Sequence, residues 1–231
     1  MVMSFFMVEN VFLDRCKYDP SSHQCSMQNK MSAQYNNLTI QSIQNILQGI
    51  SQNHPCFSLQ QFFMQQIQQF GQKLCLSTSY ESGHFTGSAI ILSPTYDRVL
   101  LIYHPFFETW IQPGGHIEEL ETIQDTIFRE VYEETNISKQ DLKPLMIQEN
   151  ILAYLQNFDV PQNILKQRPH HQHFDICLFL IHAKNNVDVS TQPDHPSKTL
   201  PCKWFSLSDI DTIPTDNATK TLLHFVCAYL N

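Results

Sequence analysis

The stretch GHIEELETIQDTIFREVYEETNI, residues 115–137, carries the strongest structural signal in the chain. It contains seven acidic residues and one basic residue, Arg129, so its net charge is −6. Thr122 followed three residues later by Asp125 forms a capping-box pattern, which predicts a helix over residues 123–135. Five apolar side chains spread over one broad side of that helix: Ile123, Ile127, Phe128, Val131 and Tyr132. The stretch therefore predicts a helix that packs on a core, with acidic residues along the border of the packed side.

Three of these acids, Glu130, Glu133 and Glu134, lie within an arc of about 100° on the predicted helix. Carboxylates at this spacing repel one another, by about 0.2–0.5 kcal/mol per pair in water and by more beside a core. A bound divalent cation removes the repulsion, and ligands that are all oxygen suit Mg²⁺ or Mn²⁺. A solvated acidic face is the simpler interpretation. The Gly-Gly turn before the helix, Glu121 near its start and Arg129 beside the acids favour the cation site.

The spacing of these residues resembles the sequence box of the Nudix hydrolase family, G-x5-E-x7-R-E-U-x-E-E-x-G-U, where U is a bulky aliphatic residue. Gly115, Glu121 and the run from Arg129 to Ile137 match every specified position except one, because Asn136 stands where the box has glycine. This position follows the helix, where the backbone often takes the left-handed conformation, and asparagine adopts it next best after glycine. We therefore expect Asn136 to keep the geometry at a modest energetic cost.

The resemblance implies a hydrolase that uses Mg²⁺ or Mn²⁺ and acts on phosphorus-containing acid anhydrides. Its substrate would be a small molecule, a nucleoside diphosphate linked to another group, cleaved within the diphosphate. By resemblance, Glu130 and Glu134 are the best metal ligands, Glu133 is close behind, and the Gly115 carbonyl is a further ligand.

The resemblance also implies catalytic roles for Glu130 and Glu133 and for two neighbours, Glu121 and Arg129. Glu121 and Arg129 would support the constellation, and the general base stays open between Glu130, Glu133 and a glutamate outside the helix. Many relatives supply one more glutamate downstream of the box. The segment before Trp204 offers no acid there, so Glu149 and Asp194 are the remaining candidates.

Two other functions stay open beside hydrolysis. One is a binding module of the Nudix fold that senses a nucleotide ligand without turnover, although such modules usually have a damaged box. The other is an isomerase of the same fold that uses a metal held by histidines. The complete set of box carboxylates argues against both.

A basic segment, KQRPHHQHFD at residues 166–175, precedes a predicted strand. Arg168, His171 and His173 make it a candidate for a loop that faces substrate phosphates, and His116 after the Gly-Gly turn joins them as a substrate-binding candidate. A second metal site also fits this segment. So does a plain surface loop in which Asp175 makes a structural hydrogen bond.

Other conspicuous side chains have simpler interpretations. Histidines such as His84 and His116 are more often structural or loop-facing residues than ligands. Trp110 and Trp204 are expected to pack in the core, with base stacking a minority alternative for Trp110.

The remaining pattern predicts an α/β fold. Strands are expected at residues 85–92, 98–104, 146–155, 174–181 and 202–207, and a last helix at 216–229. Strands interleaved with helices indicate a mixed sheet covered on both faces, and the resemblance implies the α/β/α sandwich of Nudix proteins over residues 81–231.

The N-terminal third differs in composition from the rest. Residues 1–36 show no clear periodicity and are expected to be loose. Residues 37–80 predict a helical extension with helices at 40–50 and 59–70, the second capped by Ser58 with Gln61 and ended by Gly71. The extension could pack on the main domain or offer a surface for a homodimer or another partner.

Composition limits the partners and the location. The net charge of −8 disfavours a protein that wraps DNA or another nucleic acid, and no apolar run approaches the length of a membrane span. The seven cysteines are scattered, odd in number and without a CxxC pair, which predicts reduced thiols in a cytoplasmic protein.

Overall fold

The structure, a computed structural model, describes residues 37–164, 167–184 and 200–230. The expectation that residues 1–36 are loose and the candidate acid Asp194 both lie outside these ranges. Four α-helices cover the described chain: α1 (residues 37–48), α2 (Phe57–Phe70), α3 (Ile123–Thr135) and α4 (Asn217–Leu230). Within the described ranges, none of the helices is both long and apolar enough to cross a bilayer.

Ten β-strands accompany these helices. They are β1 (His84–Leu92), β2 (Arg98–His104), β3 (Thr109–Ile111), β4 (Gly114–His116), β5 (Leu142–Pro144), β6 (Met146–Ile147), β7 (Asn150–Ile151), β8 (Ala153–Val160), β9 (His171–His182) and β10 (Cys202–Ser206).

Eight of the strands form one mixed sheet. Its order is β10-β2-β1-β9-β5, and β3, β4 and β8 pair with β2, β1 and β9. The central pair, β1 with β9, is parallel, and every other pairing is antiparallel. The remaining strands, β6 and β7, form a separate two-stranded hairpin.

Helices cover both faces of the sheet, and β1 is therefore buried on both sides. Odd-numbered β1 residues, such as Phe85 and Ile91, join a core cluster with side chains of α1, α2 and α3. Even-numbered residues, such as Ile90 and Leu92, join a second cluster with α4. This arrangement is the predicted α/β/α sandwich. The helical extension packs into the first cluster, while its boundary near residue 80 stays a prediction.

The beginning of α2 was predicted wrongly. Cys56 and not Ser58 is the N-cap, and no side chain caps this end. The turn before the helix, in which the Phe57 amide donates to the His54 carbonyl at 2.9 Å, places Ser58 inside the first helical turn. Cys56 is buried, with its Sγ 3.3 Å from the Leu155 amide nitrogen, so core packing sets this start. The predicted end is confirmed, since Gly71 has a φ of 54°.

The strand expected at residues 146–155 was also predicted wrongly in extent. The β6–β7 hairpin turns at Gln148, whose φ of 52° is left-handed, and the long strand β8 runs on to Val160. Strand β9 likewise begins at His171, three residues before the predicted start at 174, because it pairs with β8 from its first residue.

Candidate active site

The Gly-Gly turn expected from the sequence forms part of the short strand β4 and lies beside the middle of β1. Gly115 of β4 pairs with Gly87 of β1, and Gly114 pairs with Ser88. A Cβ at Gly87 would stand 2.6 Å from a side-chain carbon of Ile127, so β1 and α3 pack at backbone distance there. Strand β4 and helix α3, which carries the box glutamates, are therefore both held against β1.

Both ends of α3 have the geometry that the sequence predicted. The Thr122 hydroxyl accepts a hydrogen bond from the Asp125 amide at 3.1 Å, and the Asp125 carboxylate accepts one from the Thr122 amide at 3.3 Å. At the other end Asn136 is left-handed, with φ 58° and ψ 20°, and its amide donates to the Tyr132 carbonyl at 2.8 Å. The expected capping box and left-handed cap are confirmed.

Arg129 joins the acidic residues into one network. Its Nε and Nη2 donate to the two oxygens of Glu121 at 2.6 and 3.1 Å. Its Nη1 lies 2.7 Å from Glu130 Oε1 and 3.4 Å from Glu133 Oε2. Its Nη2 also donates to the His116 carbonyl at 2.8 Å, which ties the helix to β4. One guanidinium thus fixes the positions of three carboxylates and one strand.

The network shifts the pKa values of two of its members, Arg129 and Glu121. Burial alone would lower the pKa of Arg129, but hydrogen bonds to Glu121 and Glu130 outweigh it and raise that pKa above its usual range. Burial would raise the pKa of Glu121, yet hydrogen bonds from Arg129 and Thr126 bring it below the ordinary value. Both groups therefore stay charged at neutral pH.

Two carboxylates of α3 meet the backbone of the Gly-Gly turn. Glu130 is buried, and its carboxylate occupies the space where a side chain at Gly115 would be. Glu134 Oε2 accepts a hydrogen bond from the Gly114 amide at 3.0 Å. The structure therefore brings together all six residues expected from the box: Gly115, Glu121, Arg129, Glu130, Glu133 and Glu134.

This arrangement suits a hard divalent cation. Its donors are all oxygen, from carboxylates and a glycine backbone, as Mg²⁺ and Mn²⁺ prefer. The absence of a side chain at Gly115 brings Glu130 against the backbone, so the carboxylates converge on the turn. The residues present thus fit the metal that the box implies.

Four histidines form a second cluster on the other face of the sheet. His84 of β1 pairs with His173 of β9, and His116 of β4 lies opposite Thr86 of β1. One ring nitrogen from each of His84, His116 and His173 lies within 4.8 Å of the others. His171 Nε2 lies 3.1 Å from His173 Nε2. We call these four residues the histidine cluster.

Three members of the histidine cluster have lowered pKa values. Burial, together with the nearby His116 and His171, lowers the pKa of His84 to about 4, against a small opposing effect of the Ser79 backbone. Burial and the charge of Arg168 lower the pKa of His116 to about 4. Burial and the neighbouring histidines lower the pKa of His173 to about 3. These three imidazoles are neutral at neutral pH.

Asp175 lies beside the cluster but has its own partners. Its two oxygens accept hydrogen bonds from Thr86 Oγ1 at 2.8 Å and Ser88 Oγ at 2.6 Å. Burial raises the pKa of this carboxyl to about 6, although the two hydroxyls oppose that shift. The structural hydrogen bond expected for Asp175 is confirmed.

The four substrate-binding candidates fall into two environments. His116, His171 and His173 belong to the histidine cluster, whereas Arg168 is exposed on the loop before β9. Glu149 is exposed on the turn between β6 and β7. The interpretation of His84 and His116 as structural or loop-facing residues did not anticipate the cluster. The β1–β9 pairing brings His84 beside His173, and the β1–β4 pairing adds His116. The sequence offered one signal for this cluster, because His84 and His173 each directly precede a predicted strand.

The tryptophans pack as expected. Trp110 is half-buried against the α4-side core, and its ring contacts Phe205 edge-on at 5.2 Å between centroids. Trp204 packs against the other core cluster.

Comparison with known proteins agrees with this geometry. The sequence model of the NUDIX domain matches residues 84–226, more than half of the chain. The "Probable DHNTP pyrophosphohydrolase" of Lactococcus lactis is 29% identical over 97 residues, which are 42% of this chain and 54% of that protein. The m7GpppN-mRNA hydrolase NUDT17 of Danio rerio is 28% identical over 134 residues, 55% of this chain and 43% of that protein. The chain thus spans about half the length of these two relatives.

A solved structure is similar as well. The crystal structure of the Ap4A hydrolase of C. elegans aligns with a TM-score of 0.47 and 19% sequence identity. The alignment covers 64% of this chain and 98% of that protein. The family match over residues 84–226 includes every residue of the box, and the structure assembles the box around the Gly-Gly turn. The chain belongs to the Nudix family.

Proposed function

We propose that the chain is a metal-dependent pyrophosphohydrolase that cleaves the diphosphate of a nucleoside diphosphate linked to another group. The observation that carries this proposal is the complete network around Arg129, in which Glu121, Glu130 and Glu133 are held while Glu134 meets the Gly-Gly turn. A binding module without turnover would have no need of a box in which each specified carboxylate is kept and positioned.

Glu130, Glu133, Glu134 and the Gly115 carbonyl would hold Mg²⁺ or Mn²⁺. The ion supplies the positive charge that lets a diphosphate approach a strongly acidic site. Arg129 keeps the carboxylates of Glu121 and Glu130 in one orientation, so little reorganisation is needed when substrate binds. One general base would accept the proton of the attacking water, and the candidates are Glu130, Glu133 and a glutamate outside the helix.

The names of the relatives add members to a panel of candidate substrates. DHNTP, m7GpppN-mRNA and Ap4A, which appear in the names of the relatives, belong in a test panel with nucleotide sugars, ADP-ribose and oxidised nucleotides. Arg168, His116, His171 and His173 are proposed to contact substrate. We also propose a cytoplasmic location, in keeping with five described cysteines that are all free of disulfide bonds. A homodimer stays a prediction.

The direct test is hydrolysis of this panel with Mg²⁺ or Mn²⁺ and identification of the products. Wild-type protein should release a nucleoside monophosphate or an equivalent phosphorylated product from at least one member, and chelation with EDTA should abolish release. Glu134→Gln should abolish turnover, because an amide cannot replace the carboxylate charge. Glu119→Gln is the matched control, since Glu119 is exposed at an unspecified position of the box.

Two results would overturn the proposal. One is wild-type protein that binds a member of the panel in calorimetry but never forms product, which would indicate the sensor function. The other is Glu134→Gln protein with the wild-type rate.

A further inference from the structure

We propose that His84, His116 and His173 bind a transition-metal ion of the Zn²⁺ class at a site separate from the box carboxylates. Imidazole nitrogens suit Zn²⁺, Co²⁺ and Ni²⁺, whereas Mg²⁺ prefers oxygen. The two clusters therefore differ in the metal that each would select.

The spacing of the ring nitrogens fits such an ion. Zn–N bonds of about 2.0–2.1 Å place the nitrogens of a tetrahedral site about 3.4 Å apart. The three nitrogens already lie within 4.8 Å of one another, so small side-chain rotations are enough to close the site. The strands that carry the ligands are hydrogen-bonded neighbours, which fixes their backbones before any metal arrives.

The environment of His84 is the independent observation. Its side chain is 0% exposed, and neither ring nitrogen has a hydrogen-bond partner among the residues that the structure describes. The Ser79 backbone is close enough to affect the His84 ring, but no contact of the ring nitrogens with a described residue meets the geometry of a hydrogen bond. A buried polar group without a partner is energetically unfavourable. A metal ion bound to one nitrogen of His84 would offset much of that cost.

His171 acts as a positioning residue for His173. The Pro169 carbonyl can only accept, so His171 Nδ1 carries the hydrogen of their 2.8 Å bond. In the neutral tautomer His171 Nε2 then has the lone pair, and His173 Nε2 lies 3.1 Å away to donate to it. A bond of this kind fixes the tautomer and ring orientation of a metal-binding histidine. It leaves Nδ1 of His173 to serve as the ligand.

The proposed site and the box lie on opposite faces of β4. Gly115 faces Glu130 of α3, and His116 faces Thr86 and the histidines. Asp175 is engaged by Thr86 and Ser88, so nitrogen remains the ligand atom of this site. Three protein ligands leave a fourth position for water or an anionic group, as in open zinc sites.

The test uses full-length protein freed of metal with a chelator and then titrated with Zn²⁺ in calorimetry and with Co²⁺ in visible absorption. We expect tight binding of Zn²⁺ and a tetrahedral Co²⁺ spectrum without the thiolate charge-transfer band that cysteine ligands would add. His173→Gln and, separately, His116→Gln should weaken Zn²⁺ binding by more than about 100-fold, beyond the cost of losing a supporting hydrogen bond. His171→Phe should weaken it by about 10–100-fold.

Two variants serve as controls. His224→Gln changes a half-exposed histidine on α4 and should bind Zn²⁺ as the wild type does. Glu134→Gln should keep the tetrahedral Co²⁺ spectrum of the histidine site, which separates this site from the box. Circular dichroism identifies any variant that fails to fold. The proposal is overturned if wild-type protein does not bind Zn²⁺, or if folded His173→Gln and His116→Gln proteins bind it as the wild type does.

Discussion

The carboxylate of Glu130 occupies the space that a side chain at Gly115 would need. An added Cβ would come within 2.5 Å of the Glu130 carboxyl carbon, which no real contact allows. Gly115→Ala should therefore displace Glu130 from the turn. Because a misplacement of about 1 Å can cost on the order of 100-fold in rate, we expect kcat/KM to fall by that factor. Steady-state hydrolysis of the best substrate measures it.

Gly71→Ala is the matched control for this change. A Cβ at Gly71 meets nothing within 4 Å, although its φ of 54° makes the substitution costly to stability. Activity is compared at a temperature where both variants are folded. Gly71→Ala should then have the activity of the wild type, whereas Gly115→Ala should not. Equal losses of activity in the two variants would show that the effect is not specific to Glu130.

Replacement of Arg129 tests the network that holds the carboxylates. Lysine keeps the charge but cannot donate to both oxygens of Glu121 while reaching Glu130 and the His116 carbonyl. Arg129→Lys should raise the Mg²⁺ concentration needed for half-maximal activity by about 10–100-fold, as expected when a residue that orients metal ligands is lost. Activity as a function of Mg²⁺ concentration measures it. Arg98→Lys, on the partly exposed strand β2, should leave the curve in place.

Asn136 separates helix capping from catalysis. Asn136→Gly should retain wild-type activity, because glycine adopts the left-handed conformation more easily. Asn136→Val should lower the free energy of unfolding by about 1–2 kcal/mol, since a branched side chain resists that conformation. Urea denaturation measures the second change and substrate turnover the first. A large loss of activity in folded Asn136→Gly protein would show that the asparagine side chain has a further role.

The N-terminus of α3 gives a prediction about stability. Thr122→Ala removes the hydroxyl that accepts from the Asp125 amide, so the free energy of unfolding should fall by about 0.5–2 kcal/mol. Ser58→Ala should have almost no effect, because Ser58 is exposed and does not cap α2. Denaturation curves of the two variants compare a real cap with one that the sequence suggested wrongly. Similar shifts in both would contradict the assignment.

Local patterns predicted the box region well. The helix α3, its capping box, its left-handed end and the approach of Glu121, Arg129 and Glu130 all depend on residues within 23 positions of one another. The intrinsic periodicity of a helix places side chains at this range without knowledge of the rest of the fold.

The errors lie where distant segments decide the outcome. The start of α2 is set by Cys56 packing against Leu155 on β8, and no local signal reports that contact. The histidine cluster depends on the register of β1 with β9, in which His84 lies beside His173. A shift of one residue in that register would send the side chains to opposite faces, and the sequence alone does not fix it.

The parallel pairing of β1 with β9 also has a consequence for how the molecule folds. These central strands are separated by roughly eighty residues of chain, so their contact closes a long loop and is entropically expensive to form. A nascent chain that ends before residue 171 has the whole box helix but lacks the strand that completes the middle of the sheet. Such a chain would expose one edge of β1 to other chains until β9 is synthesised, so we expect a chain truncated before β9 to be prone to aggregation.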